Sequence, residues 1–361
     1  MEGETMRTLQ PVKKSILFLV PCLLLLYFYN SWLTGFQPVN TVHPYILCKN
    51  SSGYSHNVTI LLWHFPFGVS MKLDGDVCWD LYHIPRCRLV DQRSAISYAD
   101  VVVFHNRELV MGHEKLPLDH VCPQHQRWAW MTLESPVNNG NLRQFSNIFN
   151  MTMTYRRDSD VPLPYGMILP KAEAEEAQLE VVPLNKSSLI CWVVSNYQSH
   201  YKRSQVYQEL SSLVPVQVYG KWSKNYLRDS KLLPTISHCY FYLAFENSIA
   251  TDYITEKLWK NAFQGGAVPV VLGARLSDYR AVAPPHSFIH VDDFTSVKDL
   301  AKYLQQLAKD EKRYREYFTW KEKWEVKRFT DWRERLCQIC LHFDTLPEHK
   351  VYPDLMAWMS S

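Results

Sequence analysis

The chain has 361 residues, of which 47% are hydrophobic, so it can bury a large core and form two domains. Its formal net charge at pH 7 is only +3, and no dense block of lysine and arginine interrupts the sequence. This balance argues against a protein that binds nucleic acid through a basic surface.

The first predicted element is a membrane anchor. Residues 15–36 carry no charged side chain and are mostly apolar, and roughly 20 such residues cross a bilayer. Basic residues precede this run, whereas the next one beyond it is Lys49. The positive-inside rule therefore predicts a cytosolic tail (1–14), a transmembrane signal-anchor (15–36) and a luminal stem (37–56). A cleaved signal peptide is the alternative, but no small-residue cleavage pattern follows the apolar run.

Glycosylation sequons support a luminal location for the rest of the chain. One such sequon arises easily by chance, whereas several outside the anchor are harder to dismiss. The Asn-x-Ser/Thr sequons are at Asn50, Asn57, Asn150 and Asn185.

Eight of the nine cysteines lie beyond the anchor, and in an oxidising compartment they predict disulfides. The Cys-x-x-Cys at Cys337 and Cys340 could suggest a zinc or redox site, but a second such pair is missing. Spacing alone leaves the pairing open. Bridges between near neighbours, Cys78 with Cys87 and Cys337 with Cys340, are one arrangement, and bridges across the chain are another.

Apolar runs rich in β-branched and aromatic residues alternate with turn-rich sequence after the stem. We predict an amino-terminal α/β domain over 57–175, with strands at 58–63, 101–104 and 128–131. The stretch 170–188 is acidic and then contains proline, which is typical of an interdomain connection.

A second α/β domain is predicted over 189–330, because strands alternating with helices imply a parallel sheet. Val206, Leu210 and Leu213 have helical spacing and predict a helix at 201–213. The apolar stripe of a later helix, from Val297 to Leu307, is interpreted as core. The strands are predicted at 189–194, 216–219, 240–245, 268–272 and 288–291.

The segment 245–263, FENSIATDYITEKLWKNAF, is the richest in chemistry and lies between two apolar strand runs. Ligands of open α/β sheets bind at the carboxyl ends of strands, and a lysine held there suits a phosphorylated donor. The solvated face of an amphipathic helix is the alternative interpretation. The polar groups are Glu246, Asn247, Asp252, Tyr253, Glu256 and Lys257.

Together with several other blocks, this segment resembles the α-1,3-fucosyltransferases, an inverting family that takes fucose from GDP-fucose. The resemblance covers about 58–358. FHNREL at 104–109 and RFTDWRERLCQIC at 328–340 are most similar to the leukocyte-type members, which make sialyl Lewis x. The other blocks are ILLWHFPF, WAWMTLESP, YRRDSDVPLPYG, WVVSN and YGKW.

The resemblance implies a GT-B-like α/β fold, in which two Rossmann-type parallel-sheet domains face each other across a cleft. The domain at 57–175 would bind the acceptor, the domain at 189–330 would bind GDP-fucose, and 331–361 would return to the amino-terminal domain. It also implies three disulfides, Cys78–Cys337, Cys87–Cys340 and Cys191–Cys239.

Inverting transfer needs a carboxylate base for the acceptor hydroxyl and cations for the leaving diphosphate. The resemblance implies Glu134 as the general base, with Pro136 stiffening the turn after it. It implies Arg203 and Lys257 as diphosphate clamps, although Arg203 alone would read as an exposed helix charge. Tyr242 also matches a donor-site position but could equally be core. The donor-site positions besides the two clamps are Ser195, Asn196, Tyr242, Asn247, Tyr253 and Glu256.

Acceptor recognition is implied at the strand ends of the amino-terminal domain. Some members of the family carry a polar residue near Val69 or a second histidine at Asn106, and this chain departs from both. These departures weaken the case for a neutral acceptor, and a sialylated one would favour nearby cations. The implied acceptor residues are His64, Phe67, His105 and Arg107.

Three acidic pairs resemble the Asp-x-Asp motif that holds Mn²⁺ in metal-dependent glycosyltransferases. The family is metal-independent, and local ion pairing with Arg156 and Arg157 accounts for the second pair, so all three are interpreted as structural. The prediction is GDP-fucose as donor substrate, no metal site and no obligatory cofactor; Mn²⁺ could bind but is not required. The pairs are Asp74 with Asp76, Asp158 with Asp160, and Asp292 with Asp293.

The sequence therefore predicts a type II Golgi membrane enzyme that transfers L-fucose from GDP-fucose to O3 of GlcNAc in N-acetyllactosamine chains. Its partners would be glycoproteins and glycolipids that carry α2,3-sialylated chains. Transfer to neutral chains, giving Lewis x, is the nearest alternative. A catalytically silent glycan-binding protein on the same fold and a GDP-fucose hydrolase are the others. The presence of Glu134, Arg203 and Lys257 argues against the silent protein.

Overall fold

The predicted anchor and stem, Asn50 and most of the predicted interdomain connection lie outside the residues that the computed structural model describes. Among the described residues, no helix has the length and apolar character needed to cross a membrane. The described residues all belong to one compact unit and are 57–120, 123, 125–171, 185–347 and 350–361.

Six parallel strands form one sheet in the amino-terminal half. They read as nearly continuous apolar runs, such as VTILL and VVVFH, because both faces of the sheet are covered. The strands are β1 (Val58–Leu62), β2 (Cys87–Val90), β3 (Val101–His105), β4 (Arg127–Thr132), β5 (Met151–Thr154) and β6 (Val161–Pro162), followed outside this sheet by β7 (Gly166–Pro170). Their order in the sheet is β2-β1-β3-β4-β5-β6.

Short helices connect these strands. Helix α1 (Val77–Tyr82) begins at Asp76, whose carboxylate accepts a hydrogen bond from the main-chain N–H of Trp79 at 3.3 Å. Helix α2 (Asn106–Val110) follows β3 directly and therefore lies at the carboxyl edge of the sheet. Single 3-10 turns lie at Pro66–Gly68, Arg93–Ser97, Pro136–Asn138 and Leu142–Phe145.

A second parallel sheet, of five strands, forms the carboxyl-terminal half. Its strands are β8 (Ser188–Val193), β9 (Val216–Tyr219), β10 (Cys239–Phe245), β11 (Val268–Leu272) and β12 (Ile289–His290), in the order β12-β11-β10-β8-β9. The chain proceeds from β8 to one side and then returns to β10 on the other side. A crevice for ligands is expected where the strand order reverses, outside the carboxyl ends of β8 and β10.

The helices of this half pack on both faces of the second sheet. The predicted alternation of strands and helices is confirmed, with most boundaries shifted by one or two residues. The predicted stripe of the first helix is wrong at its end, because Leu213 is 40% exposed and the buried Val214 replaces it in the core. The helices are α3 (Lys202–Leu213), α4 (Asp229–Ser237), α5 (Leu276–Val282), α6 (Val297–Leu307) and α7 (Glu311–Glu316).

The helix that follows the FENSIATDYITEK segment is a π-helix, Lys257–Gln264, rather than a regular α-helix. Its Trp259 packs directly on β7 at Gly166, where an added Cβ would lie 2.6 Å from Cγ of the tryptophan. Only glycine therefore allows β7 to approach this helix. Wider helical turns of this kind often occur at functional sites.

The end of the chain returns to the amino-terminal half. Strand β13 (Trp324–Arg328) pairs antiparallel with β7. Helix α8 (Trp332–His342) then packs Leu336 and Ile339 on one face of the six-stranded sheet, and α9 (Leu355–Ser360) packs on the other face.

Three disulfides are present, with the pairing that the resemblance implies. Two of them attach α8 to the amino-terminal half, at α1 and β2, so the alternative of near-neighbour bridges is wrong. The third joins β8 to β10 at the base of the second sheet. They are Cys78–Cys337, Cys87–Cys340 and Cys191–Cys239.

The sequons differ in how the structure presents them. Asn57 and Asn185 are exposed, whereas Asn150 is half-buried. The side chain of Asn150 accepts a hydrogen bond from the main-chain N–H of Trp128 at 2.7 Å, and its Nδ2 donates to the carbonyl of Gln126 at 3.4 Å. A glycan on Nδ2 of Asn150 would compete with the second contact, so Asn57 and Asn185 are the better presented acceptors.

The two bridges to α8 should stabilise the protein in a non-additive way, because either one closes almost the same loop. In the chain-entropy account, removing Cys78–Cys337 alone costs about 3 kcal/mol, and removing Cys87–Cys340 as well costs about 5 kcal/mol more. Urea unfolding of the paired Cys→Ser variants measures both steps. Equal losses at the two steps would contradict this account.

Candidate functional site

A buried carboxylate marks the carboxyl end of β10. Glu246 is only 2% exposed, and it accepts hydrogen bonds from the main-chain N–H of Thr255 at 2.8 Å and from Nζ of Lys257 at 2.9 Å. Gly273 at the end of β11 makes room for it, because an added Cβ there would lie 2.6 Å from Cβ of Glu246. The chain from 246 to 257 therefore closes on itself around this carboxylate.

Lys257 is the cation of this group. Its Nζ lies 2.9 Å from Glu246, 3.2 Å from Glu256 and 2.7 Å from the hydroxyl of Thr255. Burial would lower the pKa of Lys257, but the two carboxylates outweigh burial and raise that pKa above its ordinary value. The ammonium group is therefore charged throughout the neutral range.

Arg203 supplies a second cation at the end of the neighbouring strand β8. It lies in the first turn of α3, is 5% exposed, and donates a hydrogen bond to the carbonyl of Asn196. Its buried Nε has no hydrogen-bond partner among the described residues. Burial lowers the pKa of Arg203, while Glu246 opposes this effect. A buried guanidinium with a spare N–H is suited to an anionic ligand such as a phosphate.

Glu134 follows β4 in the other half of the protein. Its main-chain N–H donates to the hydroxyl of Thr132 at 3.2 Å, and its carbonyl accepts from Asn139 at 3.2 Å. In the part of the chain that the structure describes, no hydrogen bond or ion pair engages its half-buried carboxylate. The backbone is thus fixed while the carboxylate stays available, as a general base requires.

The loops after β4 and β10 are in direct contact. The hydroxyls of Ser135 and Ser248 lie 2.8 Å apart, so the residues next to Glu134 and Asn247 are joined. Tyr165 donates a hydrogen bond to the carbonyl of Leu133 at 2.7 Å, and this bond also fixes the loop after β4. The two halves of the protein therefore meet at the predicted site.

Tyr253 lies at the centre of this contact. Its ring packs against Tyr155 at 4.8 Å and Tyr165 at 6.4 Å between ring centroids. Burial raises the pKa of Tyr253, and nearby Tyr165, Glu246, Glu134 and Glu256 raise it further. The carboxylates of both halves thus act on one phenol.

The remaining predicted donor-site residues are less uniform. Ser195 and Asn196 are exposed in the loop after β8, and Asn247 is half-buried with its Oδ1 accepting from Ser248 at 3.3 Å. Tyr242 is wholly buried in the core, where its hydroxyl accepts a hydrogen bond from Asn261 at 2.8 Å. Tyr242 is thus a core residue, but it still interacts electrostatically with both Arg203 and Lys257.

A second polar cluster lies at the carboxyl ends of β1 and β3. His64 and His105 are both buried, and the ring Nε2 of His64 lies 3.1 Å from the main-chain N of His105. Nδ1 of His105 contacts the carboxylate of Glu108, whose other oxygen accepts from the main-chain N–H of Phe67 at 2.9 Å. Burial would raise the pKa of Glu108, but the two histidines lower it to about 2. Burial lowers the pKa of His64.

His64, Glu108 and Phe67 of this cluster line a cleft of about 520 Å³, together with Arg107. The ring of Phe67 is 47% exposed, and the guanidinium carbon of Arg107 lies 5.2 Å from its centroid. Trp332 of α8 approaches Phe67 at 6.1 Å and His105 at 5.4 Å. An aromatic surface beside a cation is suited to a sugar that carries a negative charge. The four predicted acceptor residues are thus neighbours.

Hydrogen bonds connect this cleft to the loop of Glu134. The amide of Asn106 donates to the carbonyl of Asn139 at 3.0 Å and accepts from the indole of Trp130 at 2.9 Å. Asn139 in turn accepts from the hydroxyl of Thr132 at 2.7 Å. Asn106 therefore has a structural role between the cleft and this loop.

The Asp-x-Asp pairs have structural contacts. Asp158 forms two hydrogen bonds with Arg156, at 2.8 and 2.7 Å. Asp160 binds Lys350 at 2.6 Å and the hydroxyl of Tyr352 at 2.8 Å. Asp76 caps α1 as described above. Both carboxylates of the second pair are thus engaged by the protein itself.

Several residues of the site were not identified as such from the sequence. Glu246 was part of the predicted segment but was not assigned to the site, although its position directly after β10 was a usable signal. Glu108, Ser135 and Ser248 gave no signal, because their roles depend on contacts between distant parts of the chain.

Comparison with known proteins gives a consistent result. Residues 55–166 match the family described as "Fucosyltransferase, N-terminal", and residues 183–358 match "Glycosyltransferase family 10 (fucosyltransferase) C-term". Alpha-(1,3)-fucosyltransferase 7 of Rattus norvegicus is 45% identical over 305 residues, which cover 84% of this chain and 80% of the relative. The Homo sapiens protein of the same name is 41% identical over 332 residues, covering 91% of both chains.

A bovine relative and a solved structure extend the comparison. The 4-galactosyl-N-acetylglucosaminide 3-alpha-L-fucosyltransferase 9 of Bos taurus is 38% identical over 355 residues, covering 94% of this chain and 96% of the relative. The crystal structure of an alpha1,3-fucosyltransferase with GDP-fucose superposes with a TM-score of 0.54 at 17% identity, covering 85% of this chain and 96% of that one. This similarity shows a shared α/β, GT-B-like fold.

Lys257→Met should leave Glu246 buried without its cation, which destabilises a protein by about 3–5 kcal/mol. The folded pKa of Glu246, already raised by burial, would then lie further above its unfolded value of about 4.3. The free energy of unfolding of the variant should be highest at pH values below the unfolded pKa of Glu246. It should fall as pH rises through the folded pKa of Glu246. Urea unfolding from pH 4.5 to 7.5 measures this dependence.

Lys260→Met is the matched control, because Lys260 lies in the same π-helix but pairs with the exposed Asp229. Its stability should follow that of the parent protein at every pH. A flat pH profile for Lys257→Met would show that Glu246 does not depend on Lys257.

Proposed function

The chain belongs to glycosyltransferase family 10, the fucosyltransferases, and on that basis we propose that it transfers L-fucose from GDP-fucose to O3 of GlcNAc in N-acetyllactosamine glycans. The names of its relatives support an α-1,3 linkage. The bovine relative's name specifies a 4-galactosyl-N-acetylglucosaminide as acceptor, which is the N-acetyllactosamine unit.

The observation that carries this proposal is the contact between the loop of Glu134 and the loop of Asn247. The hydrogen bond from Ser135 to Ser248, at 2.8 Å, joins the half with the free carboxylate to the half with the buried cations. A transferase that displaces a diphosphate with a sugar hydroxyl needs both groups at one reacting centre.

In the proposed mechanism, Glu134 accepts the proton of the acceptor hydroxyl as that oxygen attacks the anomeric carbon of fucose. The bond from this carbon to the diphosphate oxygen breaks on the opposite face, so the configuration is inverted in one displacement. The half-buried carboxylate suits this role because the protein fixes its backbone without engaging its oxygens.

Arg203 and Lys257 are proposed to stabilise the negative charge that develops on the leaving GDP. The buried Nε–H of Arg203 has no partner within the described ranges of the chain, and Lys257 holds its charge throughout the neutral range. Charges fixed in advance stabilise a transition state without reorganisation at the moment of reaction. These two cations supply the positive charge, so no metal site is part of the proposal.

We propose α2,3-sialylated chains as the acceptors, giving products of the sialyl Lewis x type. Arg107 supports this choice. Its guanidinium lies beside the exposed ring of Phe67, and its contact with Glu108 is long, at 3.4 Å, because other groups already bind both oxygens of that carboxylate. Arg107 therefore has donors to spare for the carboxylate of a sialic acid.

The location of the protein remains a proposal drawn from the sequence. We propose a single-pass type II protein of the Golgi membrane with a luminal catalytic part. The disulfides are consistent with an oxidising lumen.

Glu134→Gln should abolish transfer while GDP still binds. A general base contributes roughly 10²–10⁴-fold to the rate, and the amide keeps the shape of the side chain without accepting a proton. Radiolabelled fucose transfer and calorimetric titration with GDP give the two readouts. Glu325→Gln, on the exposed side of β13, is the control, and turnover of Glu134→Gln at the control's rate would remove Glu134 from the mechanism.

Arg107→Gln should lower kcat/KM on a sialylated acceptor by roughly 10–10²-fold, because a hydrogen bond to a charged group is lost. The same variant should keep its kcat/KM on the matched neutral acceptor. Parallel assays on sialylated and neutral N-acetyllactosamine measure both values.

Arg93→Gln is the control, since Arg93 lines the same cleft but is paired with Glu114 at 2.7 Å. Equal losses of Arg107→Gln on both acceptors would show that Arg107 shapes the cleft without recognising sialic acid. A parent protein that prefers the neutral acceptor would refute the sialylated substrate itself.

A further inference from the structure

The two arginines of the YRRDSD block have different partners. Arg156 binds Asp158 in its own loop, at 2.8 and 2.7 Å. Arg157 instead reaches the other half of the protein, where its main-chain N–H and its Nε donate to the carboxylate of Asp252 at 3.0 and 2.7 Å. Arg156 also donates to the carbonyls of Trp358 and Ser361, at 2.7 and 3.0 Å. Arg157 is thus the arginine of this block that bonds directly to the loop after β10.

Asp252 belongs to the loop between β10 and the π-helix and directly precedes Tyr253. Its backbone is in the left-handed region, with φ at +59°, which aspartate adopts more readily than most residues. Its main-chain N–H donates to Asp278 at 3.3 Å, and Arg157 also contacts Asp278 at 3.4 Å. The loop is therefore held in an uncommon conformation by contacts outside itself.

The charges of this group balance only when Arg157 is present. The side chains of Asp252 and Asp278 are 9% and 2% exposed. Arg275 pairs with Asp278 at 3.3 Å, but its side chain is largely exposed. Arg156 also interacts electrostatically with Asp252, but its guanidinium is already bound to Asp158. The loss of Arg157 would therefore remove the cation that directly contacts the buried carboxylate of Asp252, which is unfavourable.

The loop that carries Arg157 is itself rigid. The hydroxyls of Thr154 and Ser159 lie 2.6 Å apart, and the main-chain N–H of Arg156 donates to Thr154 at 3.1 Å. Tyr155 of this loop packs on Tyr253. Arg157 therefore reaches Asp252 from a loop that hydrogen bonds hold in place at the end of β5. Tyr155 of the same loop supports the ring of Tyr253, the residue after Asp252.

We propose that Arg157 is a positioning residue for the nucleotide-sugar site, which it serves from the opposite half of the protein. By holding Asp252, Arg157 fixes the loop that runs from Asn247 to Tyr253. It thereby fixes the placement of Glu246 before this loop and of Lys257 after it. The proposal rests on the proposed function, because it takes this loop as part of the GDP-fucose site. It makes donor affinity depend on a residue of the half that carries Glu134.

Arg157→Gln and Asp252→Asn test the proposal in the full-length protein. Each should raise KM for GDP-fucose and the Kd for GDP by about tenfold or more, since small displacements of a binding group are costly. KM for the acceptor should stay unchanged. The double variant should be no worse than either single one, because the same contact is lost only once.

Arg157→Lys should recover part of the donor affinity, because it keeps the charge but not the paired contacts. Arg315→Gln, which removes an exposed pair with Glu311, should leave both KM values unchanged. Unfolding temperatures should show all variants folded at the assay temperature.

Unchanged KM and Kd for the donor in Arg157→Gln would overturn the proposal. So would a rise in both KM values together, or a loss of activity that only follows a loss of folded protein. Calorimetry with GDP keeps this test separate from the proposed function. A parent protein that binds GDP but transfers no fucose would refute the proposed function and leave the role of Arg157 open to measurement.

Discussion

The carboxylate of Glu246 is buried at the end of β10, and the arrangement of the site follows from the need to compensate it. A buried charge is tolerated only when it is paired and hydrogen-bonded. Thr255 and Lys257 meet this need, and in doing so they fold the segment after β10 back onto the strand. The lysine is thereby held at the crevice with its charge fixed, and the π-helix begins at this point.

The other half of the protein approaches the same segment at three points. Ser135 bonds to Ser248, Tyr155 and Tyr165 pack on Tyr253, and Arg157 binds Asp252. The loop after β10 is thus shared between the two sheets. Direct contacts of this one loop therefore set the position of Glu134 relative to Lys257.

The sequence predicted strands such as β3 and β11 because they are continuous apolar runs. It missed short or mixed strands of the first sheet, which give a weaker local signal: β2, β5 and β6. It drew attention to the segment from Glu246 to Lys257, where polar side chains are concentrated. It failed where a role depends on contacts between distant parts of the chain. Tyr242 matches a donor-site position of the family, although β10 directs its side chain into the core. No local sequence pattern distinguishes Arg157 from Arg156.

Phe67, which lines the proposed acceptor cleft, packs against Trp332, whose ring also contacts His105. This tryptophan begins α8, the helix that is covalently attached to α1 and β2 through sulfur. The position of this tryptophan beside Phe67 is therefore linked to the redox potential of its surroundings. In a reducing compartment all three bridges would be open to reduction, and packing alone would hold α8 against the first sheet.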